Sequence, residues 1–358
     1  MMSFTFPVRF LSYWNVYEAA SNIIDRFFRQ TKVNPMSLRV VNSFKIEAPC
    51  QALAISPDGA RLAFYQNFGS GILVYKTDGA YDQYFKRGGT DASLNIAFIS
   101  DEKIVTRPAS KHEFDSIGEI WNINPRHPTQ LLASCSTNPE MARRAASKLA
   151  VSDLRKTLLL ASARSNICNI NVFDAETFSV RTPTVNPLNG IVGSIAASDT
   201  NGLIAVGMVG GDIYFLSINN LDIVKIIEDF FTHEISFGSL EFSPDGDHIC
   251  IGRGLSTSDL KSRAPGGLSL LNIRDGRIFF NYDTHGIGVK CISWSFDSRY
   301  FAALISKSCH LFRITDAGLV EKEGEIRDVT AMKFSTKGNT LFCLNTNTVV
   351  HYELPARI

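Results

Sequence analysis

The sequence predicts an all-β chain folded as a seven-bladed β-propeller closed by an N-terminal strand, with an N-terminal amphipathic helix ahead of it. Three observations carry this expectation. A serine-centred turn phrase returns seven times at a nearly constant interval, and an apolar strand of one type follows each copy. The strand count then comes out one short at the C-terminal end.

The turn phrase opens each unit. An alternating apolar strand runs into Ser, a turn follows, and a second strand leaves it. The phrase is complete at Ser56-Pro57-Asp58-Gly59 and at Ser243-Pro244-Asp245-Gly246. Weaker copies begin at Ser100, Ser152, Ser198, Ser295 and Ser335. Successive serines lie 40 to 52 residues apart, the period of a four-stranded blade with loop insertions. Asp58, Asp245 and Asp297 fall in turn positions, where a carboxylate caps its own backbone.

The second landmark is a strand ending in an apolar or aromatic residue followed by a polar one. The seven copies end at Tyr75-Lys76, Trp121-Asn122, Phe173-Asp174, Leu216-Ser217, Leu271-Asn272, Phe312-Arg313 and Tyr352-Glu353. The bulky residue is suited to packing between blades while its neighbour points to the loop surface. In period and phase the pattern resembles the WD-repeat propeller superfamily over residues 38–354, where this dipeptide is Trp-Asp and a Gly-His opens each repeat. No Trp-Asp or Gly-His occurs here, so the family's buried His–Asp–Ser/Thr network is not carried over. The resemblance implies a fold and leaves function open.

The last unit supplies three strands, over 329–334, 340–344 and 349–354. An orphan strand at 39–46 precedes the first unit. Pairing the orphan into the last blade balances the count at seven and removes exposed sheet edges. The domain reading is therefore 1–37 as helix and linker and 38–358 as propeller.

Residues 8–30 read as a helix with a narrow polar stripe of Ser12, Asn15, Glu18, Asn22, Asp25, Arg26 and Arg29. Phe10, Trp14, Tyr17, Ile24 and Phe28 belong to its wide apolar surface, which has to be covered. Three covers are open: the propeller itself, a groove in a partner protein, or a membrane interface.

Composition narrows the function classes. Over 358 residues, 36 Lys and Arg face 35 Asp and Glu, and 45% of residues are hydrophobic. Such a chain buries a core and stays ordered. A net charge of +1 gives no global field for a nucleic-acid backbone. No run of 18 apolar residues exists, so no transmembrane helix is expected. Seven cysteines without a CxxC pair, and no Asn-x-Ser/Thr sequon, favour a cytoplasmic setting, with nuclear or peripheral-membrane location open.

Local catalytic motifs are missing: there is no GxSxG elbow, Walker loop, HExxH or EF-hand loop. The seven histidines are scattered, and His310 and His351 alternate with apolar strand neighbours as packing residues do. No catalytic residue, metal ligand or cofactor is assigned. Three long insertions remain, at 107–118, 136–147 and 253–267, and loops of that length are usually functional or disordered. The third presents Arg253, Lys261 and Arg263 as a basic rim loop. Phe85-Lys86-Arg87-Gly88 is similar to the Phe-Arg-Arg-Gly signature of phosphoinositide-binding propellers of the autophagy type. That likeness implies Lys86 and Arg87 as headgroup ligands. The expected function is a non-catalytic scaffold for protein partners in a larger intracellular complex. The alternatives are a membrane-associated phosphoinositide binder and a hydrolase or lactonase-like propeller with a channel metal.

Overall fold

The computed structural model describes residues 38–66, 71–86, 96–106, 118–124, 130–135, 148–152, 154, 156–164, 167–182, 188–228, 230, 237–254 and 267–355. The expected helix over 8–30, with Phe10, Trp14, Tyr17, Ile24 and Phe28, lies outside them.

The described strands form seven antiparallel sheets in chain order. Blades 1 to 6 take their strands consecutively from residues 50–86, 96–135, 148–189, 192–227, 237–282 and 289–326. Blade 7 holds Ala331–Phe334, Thr340–Asn345 and Thr348–Glu353, and its outer strand is Arg39–Lys45. Arg39 pairs with Glu353 and Lys45 with Thr348, antiparallel, with a bulge between Val40 and Asn42. In blade 3 a two-residue strand, Leu188–Asn189, adds a further pairing to the third strand.

The inner strands follow one another around the ring, and the circuit returns from Ala331–Phe334 to Cys50–Ile55. Each blade buries both faces against its neighbours, so its strands are apolar on both sides near the axis. Arg61–Gln66 and Tyr300–Ile305, both second strands, are buried almost throughout.

Seven apolar clusters result, one at each blade junction. The bulky residue near the end of each third strand packs into the cluster shared with the preceding blade. Tyr75 meets Ala331 and Phe342 of blade 7. Trp121 packs beside Ala63 and Val74 of blade 1, and Phe173 meets Ile99 and Ile120 of blade 2. Leu216, Leu271, Phe312 and Tyr352 repeat the arrangement around the ring.

Backbone approach at the inner strands is close. In blades 1, 4, 5 and 6 the first strand bulges near its start, skipping Gln51, Gly193, Gly238 and Lys290. A Cβ on Gly238 would run into the Val289 carbonyl of the next blade, so glycine is required there.

Candidate functional site

In an up-and-down blade the first–second and third–fourth turns lie at one end of the ring. The second–third turns and the blade-to-blade connections lie at the other. The two ends are built differently, and the repeat serines explain one of them.

Each complete serine turn is closed by its own side chains. Ser56 Oγ donates to Asp58 Oδ1 at 2.5 Å and accepts the Arg61 N–H at 2.9 Å. Ser243 does the same with Asp245 (2.5 Å) and His248 (2.9 Å), and Ser295 with Asp297 (2.6 Å) and Tyr300 (2.9 Å). The carboxylates also take a backbone N–H two residues on, from Ala60, Asp247 and Arg299, as the turn reading expected. Burial raises the Asp58 carboxyl, but hydrogen bonds from Ser56 and the Ala60 N–H outweigh it and leave Asp58 below the usual carboxylate range. Gly59 and Gly246 close their turns at positive φ (73° and 77°), where an L side chain is strained. Ser298 occupies the matching place in blade 6 at φ 58°.

These turns are also tied to one another. The Asp58 N–H donates to Asp101 of blade 2 at 2.7 Å. Asp199 of blade 4 accepts from Ser152 Oγ, from Thr157 Oγ1 at 2.8 Å and from the Lys156 N–H at 3.1 Å, all of blade 3. Asn201 Nδ2 donates to the Gly246 carbonyl at 2.5 Å, and the Asp245 N–H donates to Ser298 Oγ at 3.0 Å. Asn339 Nδ2 reaches Asp297 at 2.7 Å, and Thr336 Oγ1 reaches the carbonyls of Ser56 and Pro57 at 2.8 and 2.9 Å. A belt of hydrogen bonds thus crosses six blade junctions. At the seventh, between blades 2 and 3, the described residues frame an open cleft of about 460 Å³. Pro57, Asp101, Lys103, Leu154 and Glu176 line it.

The sequence places Asp199, Ser298 and Thr336 in the weaker turn phrases but announces no cross-blade role for them, and it does not single out Asn201 or Asn339. All five lie within four residues of a repeat serine, so superposing the units was the signal that could have found them. A second tier lies deeper. The N–H groups of Leu240, Ile292 and Phe334 donate to Ser194, Ser239 and Ser293 of the preceding inner strand.

At the opposite end the strands flanking 107–117, 136–147 and 255–266 all terminate, because each of these segments joins strands there. The described strand ends on either side of the three expected long insertions therefore share one end of the ring. Arg253, expected in the basic rim loop, instead ends the strand His248–Arg253 and is 1% exposed, so its guanidinium belongs to the interior of the blade. Lys261 and Arg263 lie outside the described residues, as does Arg87. Lys86 ends the outer strand Tyr81–Lys86 of blade 1.

The same end holds a polar cluster between blades 5 and 6. Tyr282 Oη and His310 Nδ1 are 3.2 Å apart, and Lys322 Nζ donates to Tyr282 Oη at 3.1 Å. Glu325 stands 4.0 Å from His310 Nε2 and 3.4 Å from Lys322 Nζ, and its other oxygen takes Arg327 Nε at 3.3 Å. Burial, with the nearby Lys322 charge, pushes the His310 imidazole down to about 4 against the opposing pull of Glu325. His310 is buried as expected, yet it is a hydrogen-bonded junction residue and not simple packing. His351 does pack, stacked on Phe342 at 4.5 Å.

Across inner strands of blades 5 and 7, Glu241 Oε1 and Lys333 Nζ pair at 2.7 Å. Burial raises the Glu241 carboxyl while Lys333 draws it back. Among the described residues no group of three His, Cys, Asp or Glu side chains is placed to hold a metal ion. No described helix is long and apolar enough to cross a membrane. No protein-family model matches the chain, and no curated protein matches it.

Proposed function

We propose that this propeller is a non-catalytic scaffold that mediates protein–protein interactions within an intracellular complex. The observation that supports this reading is the unequal construction of its two ends. Among the described residues, one end carries short turns hydrogen-bonded across six blade junctions, and at the other the strands that flank the long insertions break off. A rigid frame carrying variable connections on one side is how binding loops are commonly presented. A seven-bladed propeller is compatible with that role and does not by itself specify a partner.

The test replaces 255–266, and separately 136–147, with short Gly-Ser linkers. Native affinity purification then compares each variant with the parent chain. The expected outcome is loss of a stoichiometric partner from at least one variant at unchanged melting temperature. A parent chain that purifies as a monomer with no stoichiometric partner refutes the reading.

A further inference from the structure

Among the described residues the outer strand of each blade pairs on one side only, and exposed edges of that kind invite another chain to add a strand unless they are guarded. Most described edges here are guarded. Blade 6 presents Val320–Ile326 with Glu321, Lys322, Glu323 and Glu325, and Arg313 clasps Glu321 at 2.8 Å and Glu323 at 2.6 Å. The edge of blade 3 is only three residues long, Val180–Thr182, with Arg181 bound to Asp174. Blade 1 carries Asp82 paired to Arg61, and blade 7 carries Arg39 opposite Glu353. Blade 5 has an uncharged edge, but its Phe279 and Phe280 are half-buried.

Blade 4 is different. Its outer strand, Ile223–Ile227, reads Ile-Val-Lys-Ile-Ile, with Ile223, Val224 and Ile226 exposed by 47%, 60% and 41%. Lys225 is its single charge, and its ammonium lies over Gly276 in the adjoining turn of blade 5. Exposed acids flank the strand at Asp222 and Glu228. The edge therefore offers exposed apolar residues with charges in the sequence order minus, plus, minus, and a β-bulge at Val224 separates Asp222 from the regular register of Lys225 and Glu228.

We infer that this edge is a strand-addition site for an extended segment of a partner protein with the inverse charge order: basic, two apolar and acidic, then an apolar stretch across the bulge and a second basic residue. Antiparallel pairing sets the acidic residue opposite Lys225 and the first basic residue opposite Glu228, each a favourable cross-strand pair, and brings the second basic residue toward Asp222 beyond the bulge. A second copy of this chain fits worse. Antiparallel pairing centred on Lys225 sets Lys225 against Lys225, and like charges directly opposite are destabilising. The inference deepens the scaffold reading and rests on it, with the edge as one contact surface.

The test uses the full purified chain and a fluorescein-labelled peptide of sequence KVIEVIK, read by fluorescence polarisation. The charge-reversed peptide EVIKVIE and a backbone-N-methylated KVIEVIK serve as controls. KVIEVIK is expected to bind at least tenfold more tightly than either control. The double variant Val224→Lys/Ile226→Lys changes only exposed positions and is expected to lower that affinity at least tenfold at unchanged melting temperature. Equal binding of both charge orders, or binding indifferent to the double variant, overturns the site. So does a chain that sediments as a dimer only when Val224 and Ile226 are intact, because a second copy then holds the edge. If the peptide fails while the linker-replaced chains still lose a partner, the edge falls and the scaffold reading stands.

Discussion

The two ends of the ring are made from the same chain by the same repeat, yet they differ in what holds them. At the turn end, six junctions are crossed by hydrogen bonds whose donors and acceptors sit within four residues of a repeat serine. At the loop end the strands run into connections of very unequal length, and the described cross-blade bonding includes the Tyr282–His310 contact. The turn end cannot vary without breaking its neighbour's bonds. The loop end is released from that constraint because the turn end already fixes the spacing of the blades. The bonded turns and the long connections are thereby separated along the axis of the ring.

The largest expected effect comes from breaking the belt at its most connected acceptor. Asp199→Ala removes the acceptor for the Ser152 and Thr157 hydroxyl protons, both on buried residues, and is expected to cost about 2–4 kcal/mol in urea unfolding. A loss below about 1 kcal/mol would show that the belt decorates the fold without holding it.

Acid separates the two ends next. The His310 pKa is pushed from 6.5 to about 4 in the folded chain, so the unfolded chain takes up the proton first. Its contribution to stability is complete above about 6.5 and falls as the pH drops from there toward 4, by on the order of 1–2 kcal/mol at pH 5. Asp58, held below 3.8, loses its contribution only at lower pH, as the pH falls through its folded value. Amides around blades 5 and 6 at the loop end are therefore expected to gain hydrogen exchange at pH 5 before the Asp58 turn of blade 1 does. His310→Phe should flatten the pH dependence between 6.5 and 4, and an unchanged profile would contradict this assignment.

A finer comparison isolates one bond of the belt from its backbone cost. Ser298→Ala keeps the positive φ and deletes the Asp245 N–H acceptor, so it is expected to lose about 1 kcal/mol. Ser298→Gly deletes the same acceptor but relieves the strain, and is expected to lie closer to the parent chain. The reverse order would mean that the hydroxyl contributes little. The smallest effect is expected from the loop end, where a Gly-Ser linker in place of 255–266 should shift stability by less than about 0.5 kcal/mol.

The parts of this construction that sequence revealed are those in which cause and effect are local. Ser56, Asp58 and Gly59 form a turn among themselves, so their spacing announces it. Tyr75, Phe173 and Phe312 recur in phase because every junction needs one such residue. The belt escaped because its partners, such as Ser152 and Asp199, lie a whole repeat apart and look like ordinary turn residues in each copy. Arg253 misled for a related reason. A cation beside a long polar insertion reads as solvent-facing, while its burial depends on neighbouring strands that adjacent residues do not specify. His310 was placed inside by strand alternation, but Tyr282 and Glu325 meet it only through the packing of two blades.

The pairing of Arg39–Lys45 with Thr348–Glu353 joins segments roughly 300 residues apart in the chain. During synthesis at about 5–20 residues per second, the earlier strand emerges on the order of 15–60 seconds before its partner exists. Blades 1 to 6 can form in that interval from consecutive strands, while this one waits, with Val40 and Val41 as a ready template for the wrong edge. Completion of the last blade thus waits until Thr348–Glu353 has been made, and until then Arg39–Lys45 is the strand most open to mispairing.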